Sequence, residues 1–291
     1  MSNCKGSAGV NENKVTRAYG SSLYLASQGA LLKMLQSNKK LDRYYFTQYP
    51  GIIGLEVEVE GWNGGANIPN PYFQSLWEIT YDDSLKDNGI ELRSKPMQGR
   101  VIDHALDILE TTLEANKQAY FNHRCSTHVH INVTNLSMHQ LINLYALYIK
   151  LEPYFLAFAE PIRRHGVFCI PVSDTLINKA DFVSYAPHTD PYKYLALAFN
   201  HLRDFGTLEL RLLEGTNDMV KLRRWIMMLQ KLFLYVNNND VYDICADPEL
   251  GTTETKALAK AVFNTLFNKL PTPNDQDIEH SVMASQFFIS E

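Results

Sequence analysis

Four short segments of this 291-residue chain carry ionisable or metal-binding side chains at every second position: Glu56-x-Glu58-x-Glu60, Glu91-x-Arg93, His128-x-His130-x-Asn132 and Glu209-x-Arg211. The intervening residues are aliphatic, among them Leu55, Val57, Ile90, Leu92, Val129, Ile131, Leu208 and Leu210. Successive side chains of a β-strand point to opposite faces. Each segment therefore reads as a strand with an aliphatic face inward and an acid, imidazole or guanidinium face outward. An ordinary solvated face would mix Lys, Thr, Ser and Glu. If these strands are neighbours, Glu56, Glu58, Glu91 and Glu209 crowd together, and like charges a few Å apart raise one another's pKa unless cations intervene. Few imidazoles among many carboxylates suit Mg²⁺ or Mn²⁺ better than Zn²⁺. Each piece alone has a plainer reading. Glu56-Glu58-Glu60 fits a charged edge strand, the histidines fit decoration of a wet face, and Glu209 and Arg211 fit ion pairs with adjacent strands. The repetition of one grammar on four strands points to a divalent-cation site.

The elements that must position these residues follow from period and punctuation. Strands are predicted at 52–60, 76–82, 89–94, 127–134 and 206–213, with a Gly/Asn/Pro loop at 63–71 and a polar turn at 83–88. A helix over 101–118 carries Ile102, Ala105, Leu106, Leu109 and Leu113 at the 3.6-residue period. A second starts at Ser137, which stands at capping-box spacing from Gln140, and runs towards Glu152-Pro153. Further helices are predicted near 191–204, 217–237 and 253–269, with an irregular stretch at 163–190 and a polar tail. A short helix around Leu23–Leu35 is expected ahead of the aromatic stretch Tyr44 to Tyr49. The organisation read from this is an N-terminal extension (1–45), a main domain (46–245), and a C-terminal helix and tail (246–291).

Composition narrows the function classes. A length of 291 residues at 45% hydrophobic supplies a sizeable core. Net charge is −5 with pI near 6.0 and no basic run, which argues against generic polyanion binding and leaves a specific nucleic-acid substrate open. Cys4, Cys125, Cys169 and Cys245 form no CxxC pair, as suits free thiols in a reducing compartment. There is no P-loop; Gly61-Trp62-Asn63-Gly64-Gly65 lacks the Lys-Ser/Thr ending. The polar start and the lack of a long apolar run lead us to expect a cytoplasmic protein without signal peptide or membrane span.

At these residues the chain resembles the amidoligase family within the glutamine synthetase-like carboxylate–amine ligase superfamily, whose members occur in phage and bacterial genomes. Gly54-x-Glu56-x-Glu58 is similar to that group's first metal-binding strand. Asp82-Asp83-Ser84 followed by Gly89-Ile90-Glu91-Leu92-Arg93-Ser94-Lys95-Pro96 resembles the amidoligase pattern D-x-S, then G-x-E-L-x-S-x-P. Cys125 to His130 resembles the small-residue-rich H-x-H strand, and Gly206 to Arg211 the late E-x-R strand. The motifs arrive in family order over roughly 51 to 235. Segment 163–190 has no clear counterpart beyond Arg163, Arg164 and Cys169, and the ends lie outside the match.

The resemblance implies an α+β fold with a mostly antiparallel curved sheet, a polar catalytic face and helices on the other face. It implies an ATP- and Mg²⁺- (or Mn²⁺-) dependent enzyme that joins a carboxylate to an amine through an acyl phosphate. Glu58 and Glu91 would hold one metal, and Glu56, His128 and Glu209 another. His130 and Arg211 would contact ATP phosphates, with Arg211 acting in catalysis. Arg163 or Arg164 would steer phosphate or substrate carboxylate, or else form a surface pair after Pro161. Asp82 would accept a proton from the incoming ammonium, or cap the turn at 83–88. The implied partners are small-molecule or peptide carboxylates and amines, with a modified nucleotide or DNA also open, as is the oligomeric state. Two other classes compete: a metal-dependent hydrolase or phosphotransferase on the same face, and a non-catalytic phage structural or binding protein that keeps the fold. Retention of every ligand-type residue argues against the last.

Overall fold

The computed structural model describes residues 51–63, 68, 70–184 and 190–290. The expected N-terminal extension with its short helix, and most of the loop at 63–71, lie outside the described residues. Among the described residues there are six strands: β1 (Ile53–Val59), β2 (Trp77–Tyr81), β3 (Ile90–Ser94), β4 (Ser126–Asn132), β5 (Leu197–Ala198) and β6 (Thr207–Glu214). They form one sheet in the order β2-β3-β1-β4-β6-β5, with every pairing antiparallel. Five longer helices accompany them: α1 (Arg100–Ala115), α2 (Met138–Phe158), α3 (Met219–Asn238), α4 (Thr252–Phe263) and α5 (Asp275–Ser290). The α+β class and the antiparallel sheet agree with the expectation. Among the described residues, no helix is long and apolar enough to cross a membrane.

The alternation read from the sequence sets the layers. Leu55, Val57, Val59, Leu92, Val129, Ile131, Leu208 and Leu210 are all buried in the core. Each such side chain contributes roughly 1.5–3 kcal/mol when fully removed from water. The Trp77 indole donates to the Ala105 carbonyl (3.0 Å) and ties β2 to α1. Gln230 of α3 clamps Gly51 just before β1, accepting from its N–H (2.6 Å) and donating to its carbonyl (2.8 Å). A Cβ at Gly51 would stand 3.0 Å from the Gln230 Oε1, so glycine permits this close approach.

Helix α2 is buried around its whole circumference from Leu141 to Leu156. Such a helix belongs to the centre of a protein rather than its surface. Ser137 and Gln140 form the capping box their spacing predicted. Pro153 does not end the helix. An internal proline costs about 3 kcal/mol, and burial of Tyr154, Phe155 and Leu156 beyond it offsets that cost.

Two stretches differ from the sequence reading. Tyr194 to Phe199, expected within a helix, instead supplies β5 on the sheet edge. Leu195 to Phe199 is an unbroken buried apolar run, a pattern that does not separate helix from buried strand. The polar tail is α5, packed along α2. Its buried seam of Ile278, Ser281, Val282, Ser285, Phe288 and Ile289 has helical spacing. The two serines hide that spacing from a hydrophobicity reading; they donate to the carbonyls of Lys150 (3.1 Å) and Cys245 (3.4 Å). Phe288 is fully buried against Tyr145 (ring centroids 5.3 Å) and Phe182 (5.8 Å). We expect Phe288→Ala to cost about 3–5 kcal/mol in urea denaturation; a cost below about 1 kcal/mol would show that α5 is an appendage rather than part of the core.

Candidate metal and phosphoryl site

Strand order turns four separate motifs into one face. Glu58 stands opposite Glu91 across β1 and β3. Glu56 stands opposite both Arg93 on β3 and His128 on β4, and His130 opposite Glu209 on β6. Neighbouring strands are about 4.8 Å apart, so these side chains converge. A cavity of about 320 Å³ is lined by Glu56, Glu58, Asp82, Glu91, Arg93, His128, His130, His201, Phe205, Glu209 and Arg211.

Short polar contacts orient the imidazoles. Ser126 donates its N–H (2.7 Å) and its hydroxyl (2.6 Å) to Glu58 Oε2, and that hydroxyl also meets His128 Nε2 at 2.7 Å. His128 Nδ1 is thereby held 3.3 Å from Glu56 and 3.2 Å from Glu209. Thr207 Oγ1 meets His130 Nδ1 at 3.2 Å, which turns His130 Nε2 towards Glu56 (3.5 Å). A ring nitrogen fixed by one partner presents the other in a defined direction, as metal-binding histidines require. Arg93 pairs with Glu91 and Arg211 with Glu209, so a guanidinium sits at each side of the cluster.

Three groups of side chains bring potential ligand atoms within 4.8 Å of one another: Glu58, Asp82 and Glu91; Glu56, Glu91 and His128; and Glu56, His130 and Glu209. The first is all oxygen, the donor set that Mg²⁺ and Mn²⁺ prefer, and the others add one imidazole each. The donor chemistry therefore fits hard divalent cations. The expected partnership of Glu58 with Glu91 recurs here with Asp82 added. That of Glu56 with Glu209 recurs with His130 in the ligand position that had been reserved for His128, although His128 also touches both acids.

The remaining expectations fall out differently. Asp82 does cap the turn, accepting from the Ser84 N–H (2.8 Å), and it also lines the cavity. Arg163 and Arg164, expected at phosphate or substrate, are outside the lining. Between Thr127 and Val129 the register of β4 against β6 shifts by one residue, because Leu210 and Leu213 are their partners. Within that irregular stretch, Arg163 donates to the carbonyls of Arg211 (2.8 Å) and Leu212 (3.1 Å), groups a regular ladder would satisfy. Arg164 pairs with Asp277 of α5 (2.8 Å). Arg163 braces the strand that carries Arg211, and Arg164 ties the C-terminal helix to the domain. Glu60, on the same parity as Glu56 and Glu58, lies outside the cavity lining; it accepts from the Lys86 N–H (2.8 Å) and from Asn122.

Two lining residues escaped sequence reasoning. His201 lies 3.0 Å from Glu209, and its ring stacks on Phe205 (centroids 5.1 Å, 11° between planes). His201 falls in the stretch read as a helix near 191–204, and Phe205 in the gap before the strand read at 206–213, where no alternation marks a face. Arg93 was visible on the polar face but carried no assigned part.

The charges are strongly perturbed. Burial opposes ionisation of Glu56 and Glu209, yet the imidazoles beside them hold both carboxyls well below the usual range. Burial and the neighbouring Glu56 push Glu91 up to about 7. Burial and Arg211 work against a charged His128, but its bonds to Glu209 and Glu56 raise it to about 9. Raised groups bind protons more tightly folded than unfolded. Their stabilisation is complete below the ordinary values of 4.5 for Glu91 and 6.5 for His128, and is lost as pH rises through about 7 and about 9. The lowered carboxylates change stability only on acidification. The metal-free protein should therefore lose several degrees of melting temperature between pH 6 and 9, and excess Mn²⁺ should offset the loss, since metal replaces protons on these ligands. Thermal melts at both pH values, with and without EDTA, test this; a metal-free melting point that rises with pH contradicts it.

Comparison with curated proteins finds no match. A family described as "putative amidoligase enzyme" matches residues 75–233, which include β2, β3, β4 and β6, and the cavity residues Asp82, Glu91, Arg93, His128, His130, His201, Phe205, Glu209 and Arg211. β1, with Glu56 and Glu58, precedes the matched span but lies between β3 and β4 in the sheet and completes each ligand group. The match covers more than half of the chain, and the chain belongs to the amidoligase family.

Proposed function

We propose that this protein is an ATP- and Mg²⁺-dependent ligase that forms an amide bond between a carboxylate and an amine through an acyl phosphate. The observation that carries the reading is the set of three ligand groups sharing Glu56 and Glu91 in one cavity, flanked by Arg93 and Arg211, in a chain of the amidoligase family. Glu58 and Glu91 would hold one divalent ion, and Glu56 and Glu209, with His130 or His128, a second. Bound Mg²⁺ supplies neutralisation of phosphate oxygens and a template for in-line transfer.

The chain's own groups divide the remaining work. In the proposed reaction, a carboxylate oxygen of the substrate attacks the γ-phosphorus of ATP, the bond from that phosphorus to the β-bridging oxygen breaks, and ADP departs. Arg211, always charged and only partly exposed, spreads the charge that develops on the transferring phosphoryl group. The amine nitrogen then attacks the acyl carbon, the carbon–oxygen bond to phosphate breaks, and the amine loses a proton. Asp82 lines the cavity and is a carboxylate available to take that proton. Ser126 and Thr207 keep both imidazoles in place throughout.

A screen of carboxylate and amine pairs tests the proposal, with phosphate release as the readout and mass spectrometry of the products. Phosphate release should require ATP, divalent metal, a carboxylate and an amine together. Glu56→Gln should reduce it by about 100-fold or more, since Glu56 enters two ligand groups. Hydrolysis of a phosphoester without ATP, or undiminished turnover in Glu56→Gln, would overturn the ligase reading.

A further inference from the structure

Arg93 contacts carboxylates that also belong to a potential ligand group. On β3 it shares a face with Glu91, two residues before it, and stands opposite Glu56 of β1. Its Nε pairs with Glu91 Oε2 and lies 3.7 Å from Glu56 Oε1. Those two carboxylates, with His128, form one of the three ligand groups. The guanidinium thus supplies positive charge where a metal ion would supply it. Depth separates the partners: the side chain of Glu91 is 4% exposed and that of Glu56 17%, whereas Arg93 is 48% exposed. The carboxylates form the floor and the guanidinium reaches the mouth.

An ion that takes Glu91 and Glu56 cannot share them with an arginine at full strength. A released guanidinium keeps its charge and presents five N–H donors in a planar fork. Glu78, opposite Arg93 on β2, is an exposed alternative partner, and exposed ion pairs are weak. A carboxylate or phosphate that meets both arms of the fork is favoured over it. Position distinguishes these two oxyanions. Arg93 and Arg211 are separated by three strand-to-strand steps, about 14 Å. Asp82, assigned above to the amine's proton, belongs to the ligand group that contains Glu91, at the Arg93 end of the cavity. Under the ligase reading, the acyl carbon that receives the amine lies within reach of Asp82, and the γ-phosphorus, joined to it through one carboxylate oxygen, lies on its Arg211 side.

We propose that Arg93 neutralises Glu91 and Glu56 until the divalent ions held by those carboxylates displace it, and that it then binds the carboxylate of the acyl substrate. This inference rests on the ligase reading and adds coupling to it: metal loading exposes the residue that recognises the first substrate. The specificity implied is for a carboxylate delivered at the mouth beside β2 and β3, with the phosphoryl group it attacks on its Arg211 side.

Titration of the full chain with Mn²⁺ at pH 8, followed by electron paramagnetic resonance, tests the displacement. Arg93→Gln should bind the ion about fivefold tighter than the wild type, because a competing cation is gone. Arg93→Lys keeps the charge without the fork and should bind as the wild type does; it also controls for folding. The second arm measures relaxation of ¹³C-acetate and of inorganic phosphate by protein-bound Mn²⁺. In both variants the enhancement for acetate should fall severalfold while that for phosphate persists. Loss of phosphate enhancement with acetate retained would overturn the carboxylate assignment in favour of nucleotide binding. If the wild type binds Mn²⁺ and Arg93→Gln binds no tighter, the displacement is wrong and the ligase reading stands. If the wild type binds no Mn²⁺, both fall together.

Discussion

Glu58 on β1 faces Glu91 on β3, and like charges directly opposed across a sheet repel. Glu56, Asp82 and Glu209 enlarge the same negative cluster, most of it out of contact with water. Burying charges is costly unless opposite charge and hydrogen bonds compensate. Much of the surrounding structure supplies that compensation: two imidazoles between Glu56 and Glu209, a guanidinium on Glu91, another on Glu209, and Ser126 on Glu58. The shifts in proton affinity record the same tension. Under the ligase reading, divalent cations would take the place of protons and guanidiniums on these carboxylates.

The scaffold keeps this cluster from relaxing by slippage. A one-residue change of register would move every carboxylate into the apolar layer and every leucine into the cavity. The aliphatic faces of β1, β3, β4 and β6 make that exchange prohibitive, since each is packed in the core. Gln230 pins the approach to β1, Trp77 pins β2 to α1, and α5 closes over α2. Precision at the cavity is thus a property of the buried layer beneath it. The irregularity in the pairing of β4 with β6, an extra residue in β6 beyond Leu210, brings Glu214 opposite Ser126. Arg163 takes up the carbonyls disturbed there, so an arginine that reads as a candidate substrate contact serves as a brace for Arg211.

Membership in the amidoligase family and the geometry of the cavity bear on different questions. The family supplies amide-bond formation as the class of reaction. The cavity supplies reasons for residues to be where they are: two flanking arginines set apart by the width of three strand spacings, ligand groups between them, and His201 stacked on Phe205 at the β6 end. Under the ligase reading, this layout gives the face a direction, with phosphoryl chemistry towards β6 and amide formation towards β2 and β3.

Strand parity was legible from residue types alone, because a period of two needs no tertiary information. It placed the carboxylates, His128, His130, Arg93 and Arg211 on one kind of face, and the Ser137–Gln140 cap and the helices around Ala105 and Trp225 were equally local. β5 was not legible, since a buried apolar run has no period; nor was α5, whose serines occupy apolar places in its seam. His201 carried no pattern, and Arg163 and Arg164 differ in their tasks only because one meets β6 and the other α5. Which carboxylates share a cation was also beyond the sequence. Ligand groups span β1, β3, β4, β6 and Asp82 just after β2, and the distances between them exist only once hydrogen bonding sets the strand order. Side-chain chemistry and its alternation were therefore local properties of the chain, while the grouping of that chemistry into a site was decided by the order and register of the assembled sheet.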